Sequence, residues 1–306
     1  MGTPREVLVR VPASSANLGP GFDSLGLALG LYDEVEVSAL DTADVRVEVT
    51  GEGAGAVPCD ERHLVVRAMR TAWNMSGATD DGSMPAGIAL RCRNAVPHSR
   101  GLGSSAAAAV AGAVAAIVLS GRDPEAERDT LLQVTAGMEG HADNAAASLY
   151  GGFVVAWETP GNTAERFHAV SLEVHRDIRP VALVAGVESL TSTTRGLLPE
   201  RVPLVDAAFT GSRTALAVLA FTQRPALLMA ATEDRLHQGY RRPAYPESAD
   251  LVDALRAAGV PAAISGAGPT VLALTSDATV PDGIDIGGFT ALPLPVDNTG
   301  VVVETG

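Results

Sequence analysis

Val7, Val9 and Val11 recur at the period of two that a half-buried strand needs, and Pro12, lacking an N–H for the ladder, is expected to end that strand. A loop should follow from Ala13 to Asp23, where serine, glycine and proline are concentrated. Val35, Val37 and Ala39 alternate with Glu34, Glu36 and Ser38, and Val45, Val47 and Val49 repeat the pattern, which predicts an antiparallel hairpin with one wet face. The period changes to helical over 62–75, where Leu64, Ala68 and Ala72 share a face, and returns to two at Ile88, Leu90 and Cys92. The apolar run Ala106–Leu119 reads as a buried helix with Gly121 beyond its end, and a second helix is expected from Asp123 to Met138. Strands are expected over 153–157, 167–174, 179–185 and 271–274, and helices over 205–222 and 247–258. Thr159-Pro160-Gly161-Asn162 is the best candidate for a break between domains.

Composition narrows the class. With 306 residues, 46% hydrophobic content and 32 glycines, the chain reads as one large or two medium mixed α/β domains around a sizeable core. A net charge of −14 argues against a nucleic-acid partner, because polyanions reward basic surfaces. Cys59 and Cys92 show neither zinc spacing nor a C-x-x-C motif, so reduced thiols are expected. The first ten residues lack an apolar stretch of signal-peptide type, and 106–119 is shorter than the ~20 residues of a membrane span.

The segment Pro97-His98-Ser99-Arg100-Gly101-Leu102-Gly103-Ser104-Ser105-Ala106 is a glycine turn opening into the alanine-rich helix. Its glycines allow N–H groups to turn inward, Ser104 and Ser105 stand where capping hydroxyls belong, and the helix dipole adds positive potential at the same point. A phosphate site, a Gly-Ser cap on a structural helix and a dinucleotide turn are the three readings. The dinucleotide turn has the wrong context, since the glycines do not follow directly on a strand and Asp123 opens a helix. No lysine occurs anywhere in the chain, which removes lysine-dependent phosphate loops, the kinase strand lysine and Schiff-base chemistry.

Three further clusters carry candidate chemistry. Asn17 and Asp23 lie in the first loop, where such residues also serve turn hydrogen bonds. Glu139, His141, Asp143 and Asn144 fall within six positions that can be read as an exposed polar loop, as a carboxylate for Mg²⁺ on nucleotide phosphates, or as a base at Asp143. Arg195 and Arg241 offer forks for a carboxylate or are solvated surface charges. The remaining histidines, 63, 98, 168, 175 and 237, show no ligand spacing and read as structural or surface residues.

In order, Val11–Asp23, Arg100–Ala107 and Ser265-Gly266-Ala267-Gly268-Pro269-Thr270 resemble the motifs of the small-molecule kinase superfamily named for galactokinase, homoserine kinase, mevalonate kinase and phosphomevalonate kinase. The resemblance spans residues 7–275 and implies an α+β fold. Its N-terminal domain (1–158) would be of the ribosomal protein S5 domain 2 type and its C-terminal domain (159–306) ferredoxin-like, with the active site between them. It implies MgATP as donor, with Pro97 to Ala106 around the phosphates, His63 near the base, and Ser105 and Glu139 on Mg²⁺. Asn17, Asp23, His141, Arg195, Arg241 and Gly266 would surround the acceptor, the arginines on its carboxylate, and Asp143, Asn144 and Thr191 would serve the reacting hydroxyl. The first motif and the paired arginines point to L-homoserine and to a step of threonine biosynthesis, another hydroxylated amino acid or small alcohol being the alternative. A cytoplasmic homodimer without nucleic-acid or membrane partners is expected.

Overall fold

The computed structural model describes residues 4–161, 165–187 and 194–305. Thr191, expected at the reacting hydroxyl, lies outside them.

β1 (Glu6–Asn17) and β2 (Gly21–Leu40) form one long hairpin, with Val7, Val9 and Val11 in the core. Pro12 does not end β1. It pairs with Tyr32, and the register then slips so that Ala13 faces Leu29, a bulge where a proline is tolerated. The loop expected over 13–23 therefore shrinks to the tip Leu18–Pro20.

The hairpin expected between 35–39 and 45–49 does not form. β4 (Gly87–Asn94) lies between the two segments, antiparallel to β2 and parallel to β3 (Val45–Gly51). α1 (Leu64–Ser76) makes the crossover that the parallel pair requires. Burial explains the order, since Ile88, Leu90 and Cys92 are fully buried whereas Val45, Val47 and Val49 are only partly covered, as suits an edge strand.

α2 (Ser104–Leu119) is apolar around its circumference and fills the core between this sheet and α1. Small residues make that possible: a Cβ on Gly112 would stand 2.3 Å from the Val65 carbonyl oxygen. α3 (Arg128–Glu139) starts later than Asp123, because the Asp123 carboxylate accepts from the Glu125 N–H at 3.0 Å and holds a turn around Pro124. The polar run 139–144 is not one loop, since Glu139 ends α3 and Asp143 and Asn144 open α4 (Asp143–Tyr150).

β5 (Phe153–Glu158) pairs antiparallel with β6 (Phe167–Leu172), so the boundary expected at 158/159 falls inside a hairpin of the first sheet. The chain changes sheets between β6 and β7 (Arg179–Ala185), and its last strand, β11 (Val302–Thr305), returns to β1. The four-stranded sheet runs β10 (Phe289–Pro293), β7, β9 (Val271–Thr275), β8 (Ala262–Ile264), antiparallel throughout, which is the ferredoxin-like order. α5 (Leu204–Thr222) and α6 (Pro246–Ala257) precede β8, and no helix separates β9 from β10. α5 is long and apolar enough to cross a membrane, yet Arg213 on it pairs with Glu233 at 2.8 Å and Ala217, Ala220 and Phe221 enter the core.

That core joins the two sheets. Leu25, Leu27 and Phe153 from the first meet Ala182, Leu272 and Leu274 from the second, and Phe153 stacks on Phe221 with centroids 4.8 Å apart. Leu102, from the glycine turn, is buried in the same cluster, so the turn is anchored by an apolar side chain at the domain junction. Leu102→Ala should cost about 2–5 kcal/mol in urea unfolding. A loss below about 0.5 kcal/mol would show that the turn is not anchored there.

Candidate active site

The glycine turn is pressed between the two domains. The Leu102 carbonyl accepts from the Ser14 N–H at 3.0 Å, the Arg100 carbonyl from the Thr270 N–H at 3.2 Å, and the Gly101 carbonyl from the Ser265 hydroxyl at 2.6 Å. With its carbonyls engaged outward, the turn keeps its N–H groups for a ligand: those of Gly101 to Ala106 donate to no described residue. Gly101 and Gly103 adopt φ of +80° and +72°, and a Cβ would lie 2.3 Å from the Ser265 carbonyl oxygen and 2.1 Å from Ser14 Oγ respectively. The residue opening α2 is Gly103, with no side-chain cap, so Ser104 and Ser105 lie inside the first turn rather than capping it. A 160 Å³ cavity faces this turn, closed opposite by Gly266, Ala267 and Gly268. The Arg100 guanidinium turns away to the Ala185 carbonyl at 3.1 Å and towards Glu52 at 3.8 Å.

The Ser105 hydroxyl donates to Glu139 Oε2 at 2.8 Å at the rim of the same cavity. Burial pushes the Glu139 carboxyl above its usual range, against the Ser105 bond and the nearby His141. No cluster of three acidic, histidine or cysteine ligands occurs among the described residues. One carboxylate and one hydroxyl beside this cavity nevertheless fit Mg²⁺, which keeps waters and phosphate oxygens as most of its ligands.

Beyond this pair, Asp143 is 1% exposed and its Oδ1 accepts from the Asn144 N–H at 2.8 Å and lies 2.7 Å from His141 Nδ1. Burial lowers the His141 pKa, but the Asp143 bond and the charges of Asp143, Asp23 and Glu139 outweigh it, so the ring titrates above the ordinary 6.5. The Ser14 hydroxyl donates to Asn144 Oδ1 at 3.1 Å, tying α4 to β1.

The hairpin tip builds the next wall. Asn17, Leu18 and Asp23 have φ of +68°, +49° and +54°, conformations costing non-glycine residues on the order of 1–3 kcal/mol each. Asn17 helps hold them, since its Nδ2 donates to the Gly266 carbonyl at 2.7 Å and its Oδ1 accepts from the Asp23 N–H at 3.0 Å. The Asp23 carboxylate accepts both arms of the Arg195 guanidinium, at 2.7 and 3.0 Å.

Arg241, by contrast, is 1% exposed, makes no ion pair with a described residue, and leaves Nε without a partner. Its Nη1 reaches only the Gly266 carbonyl and His237 Nδ1, each at 3.4 Å. Both guanidiniums sit over the Phe22 ring, at 5.2 Å for Arg195 and 5.4 Å for Arg241. Burial and the charge of Arg195 push the Arg241 pKa down, yet a guanidinium stays charged. A buried cation of this kind calls for an anion.

A second cavity of 270 Å³ shares Ser99, Ser104 and Ser105 with the cavity at the glycine turn and is walled by Val57, Leu64 and Val65. His63 and His98 line it, and the buried Nδ1 of His63 has no partner. Burial, then His98, lowers the His63 pKa, so the ring is neutral.

Of the expected site residues, Ser99, Gly101, Gly103, Ser104, Ser105, Glu139, His141, Asn144 and Gly266 line one cavity, whereas the Arg100 guanidinium and the Leu102 side chain turn away from it. Other residues of the site were missed. Asp33 is buried and accepts from the N–H groups of Ala95 and Val96 at 2.7 and 2.9 Å, fixing the approach to the turn; a carboxylate inside a valine-alternating strand was its signal. Ser14, Phe22 and His237 gave no local sign, because their partners lie far away in sequence.

The family model for the GHMP kinases N terminal domain matches residues 63–152, and that for GHMP kinases C terminal matches 213–284. Homoserine kinase of Streptomyces avermitilis is 52% identical over 274 residues, covering 89% of this chain and 87% of that protein. Homoserine kinase of Rhodococcus opacus is 53% identical over 281 residues, covering 89% and 88%. Among solved structures, homoserine kinase from Cytophaga hutchinsonii superposes with a TM-score of 0.82 at 26% identity over 99% of both chains. Streptococcus pneumoniae phosphomevalonate kinase in complex with phosphomevalonate and AMPPNP shares the fold, with a TM-score of 0.71 at 16% identity over 94% of this chain and 99% of that one.

His237 provides a check on burial in the site. It is fully buried, and burial holds its pKa below 6.5 despite the neighbouring Asp234, Gly19 carbonyl and Asp23. The unfolded chain takes up this proton near pH 6.5 and the native state does not, so its contribution to stability is present above pH 6.5 and is lost as the pH falls. His237→Asn should flatten the fall in unfolding free energy below pH 6.5, by up to about 1.4 kcal/mol per pH unit. Identical slopes would show that the histidine is not held neutral.

Proposed function

The chain belongs to the GHMP kinases, and within them to the homoserine kinases, and from that footing we propose that it transfers the γ-phosphoryl group of ATP to the side-chain hydroxyl of L-homoserine, giving O-phospho-L-homoserine. The observation that carries the acceptor is Arg241, a buried guanidinium without a carboxylate partner among the described residues, one wall away from a phosphate cavity. Gly266 is that shared wall, since it lines the cavity while its carbonyl holds Asn17 and Arg241. An acceptor carboxylate on Arg241 and Arg195, with its ammonium towards Asp23, would direct the side chain to the phosphate end of the site.

The N–H groups of the glycine turn and the dipole of α2 would hold the β- and γ-phosphates without lysine. Ser105 and Glu139 would hold Mg²⁺, which when bound neutralises phosphate charge. Asp143 is the candidate acceptor for the hydroxyl proton, with His141 and the Asn144 N–H fixing its Oδ1, and Thr191 is proposed beside it. Positioning and electrostatics supply most of the acceleration in such a reaction. His63 and its cavity would take the adenine base. The proposal extends to a cytoplasmic homodimer without nucleic-acid or membrane partners, in keeping with the net charge of −14.

A coupled ADP-release assay with L-homoserine tests the reaction. Arg241→Ala and Arg195→Ala should each raise the homoserine KM about 30-fold or more, as expected when a charged partner is removed at about 2–5 kcal/mol, with the ATP KM nearly unchanged. Equal rises for both substrates would contradict the arginine assignment.

A further inference from the structure

His237 is buried, carries no part of the reaction derived above, and still touches both halves of the acceptor site. Its Nε2 lies 2.7 Å from the Gly19 carbonyl oxygen, at the tip of the β1–β2 hairpin. A carbonyl only accepts, so Nε2 bears the hydrogen and Nδ1 is left as a lone pair. That lone pair faces Arg241 Nη1 at 3.4 Å, where the guanidinium donates. The ring also packs on Phe22, with centroids 5.4 Å apart, and both guanidiniums lie over the same Phe22 ring. The turn carrying His237 is itself held by the Asp234 carboxylate, which accepts from the N–H groups of Leu236, His237 and Gln238 at 2.8 to 2.9 Å.

We infer that His237 is a positioning residue for the acceptor: fixed as one tautomer by the Gly19 carbonyl, it holds Nη1 of Arg241 so that Nε remains for a carboxylate. The Gly266 carbonyl is the second hold on Nη1, and the buried Nε is the unpartnered donor that this arrangement leaves. The same imidazole ties the tip bearing Phe22 and Asp23 to the helical turn bearing Arg241, so the two sides of the acceptor pocket keep their spacing. This inference rests on the carboxylate reading of Arg241.

Two substitutions separate the two hydrogen bonds. His237→Gln carries an amide donor to the position of Nε2 and offers nothing at Nδ1, whereas His237→Asn carries an oxygen to the position of Nδ1 and loses the bond to Gly19. Each is made in the full chain, with folding followed by thermal unfolding, and steady-state constants are measured for ATP and L-homoserine. H237Q should raise the homoserine KM at least tenfold with kcat and the ATP KM within twofold of the parent, and H237N should recover most of that loss. In an Arg241→Ala background, H237Q should add less than twofold to the homoserine KM. The inference is overturned if H237Q matches the parent, if it moves both KM values and kcat alike as a merely structural residue would, or if its effect multiplies fully with that of R241A. If R241A alone leaves the homoserine KM unchanged, the carboxylate reading fails and the inference falls with it.

Discussion

A guanidinium removed from water without a counter-ion among the described residues is the constraint around which this site is built. Burying an unpaired cation costs several kcal/mol, and the structure offsets it at Arg241 with the Gly266 carbonyl, the His237 lone pair and the face of Phe22. None of these carries a negative charge. Arg195 next to it shows the alternative, since it is half-exposed and already satisfied by Asp23 through two short bonds. The two arginines are therefore not equivalent. Arg195 has a carboxylate of the protein beside it, and Arg241 has none among the described residues.

The groups that steady Arg241 also close the cavity at the glycine turn. Gly266 accepts from Asn17 and Arg241, its N–H donates to Ala16, and Ser265 before it binds the Gly101 carbonyl. A turn of the C-terminal domain thus fixes the hairpin tip and the glycine turn of the N-terminal domain at once. In the proposed reaction this rigidity would stand in for the missing lysine. Backbone donors bind phosphate well only if they need not reorganise, and Leu102 in the inter-sheet core, with Ser14 and Thr270 on the neighbouring carbonyls, keeps them in place.

Local signals made much of this legible. The buried α2 shows as an uninterrupted run of small apolar residues, and the glycines of the turn announce a backbone bent where side chains do not fit. Partner choice was not legible. The alternation at Val45, Val47 and Val49 is the same whichever strand lies beside it, and only the deeper burial of Ile88, Leu90 and Cys92 in the core places β4 between β2 and β3. Likewise Pro12 reads as a stop until the bulge against β2 is seen, and 139–144 reads as loop because a helix end and a helix start, both polar, abut there. Phe22 and His237 escaped because their chemistry exists only between the hairpin tip and the Gln238–Arg241 turn. Asn17 and Asp23 drew notice as polar residues in a tight turn, but that Asn17 props the tip and Asp23 holds Arg195 depends on contacts with Gly266 and Arg195.

The role of the buried Arg241 cation is tested most directly by removing the anion from the acceptor. Homoserinol keeps the reacting hydroxyl and the amine of L-homoserine but replaces its carboxylate with an alcohol. If Arg241 recognises that carboxylate, kcat/KM for homoserinol in the ADP-release assay should be lower by a factor of about 10² or more, the scale of a buried charge left unpaired. Equal kcat/KM values for the two acceptors would contradict the assignment of Arg241 and with it the reading of the site.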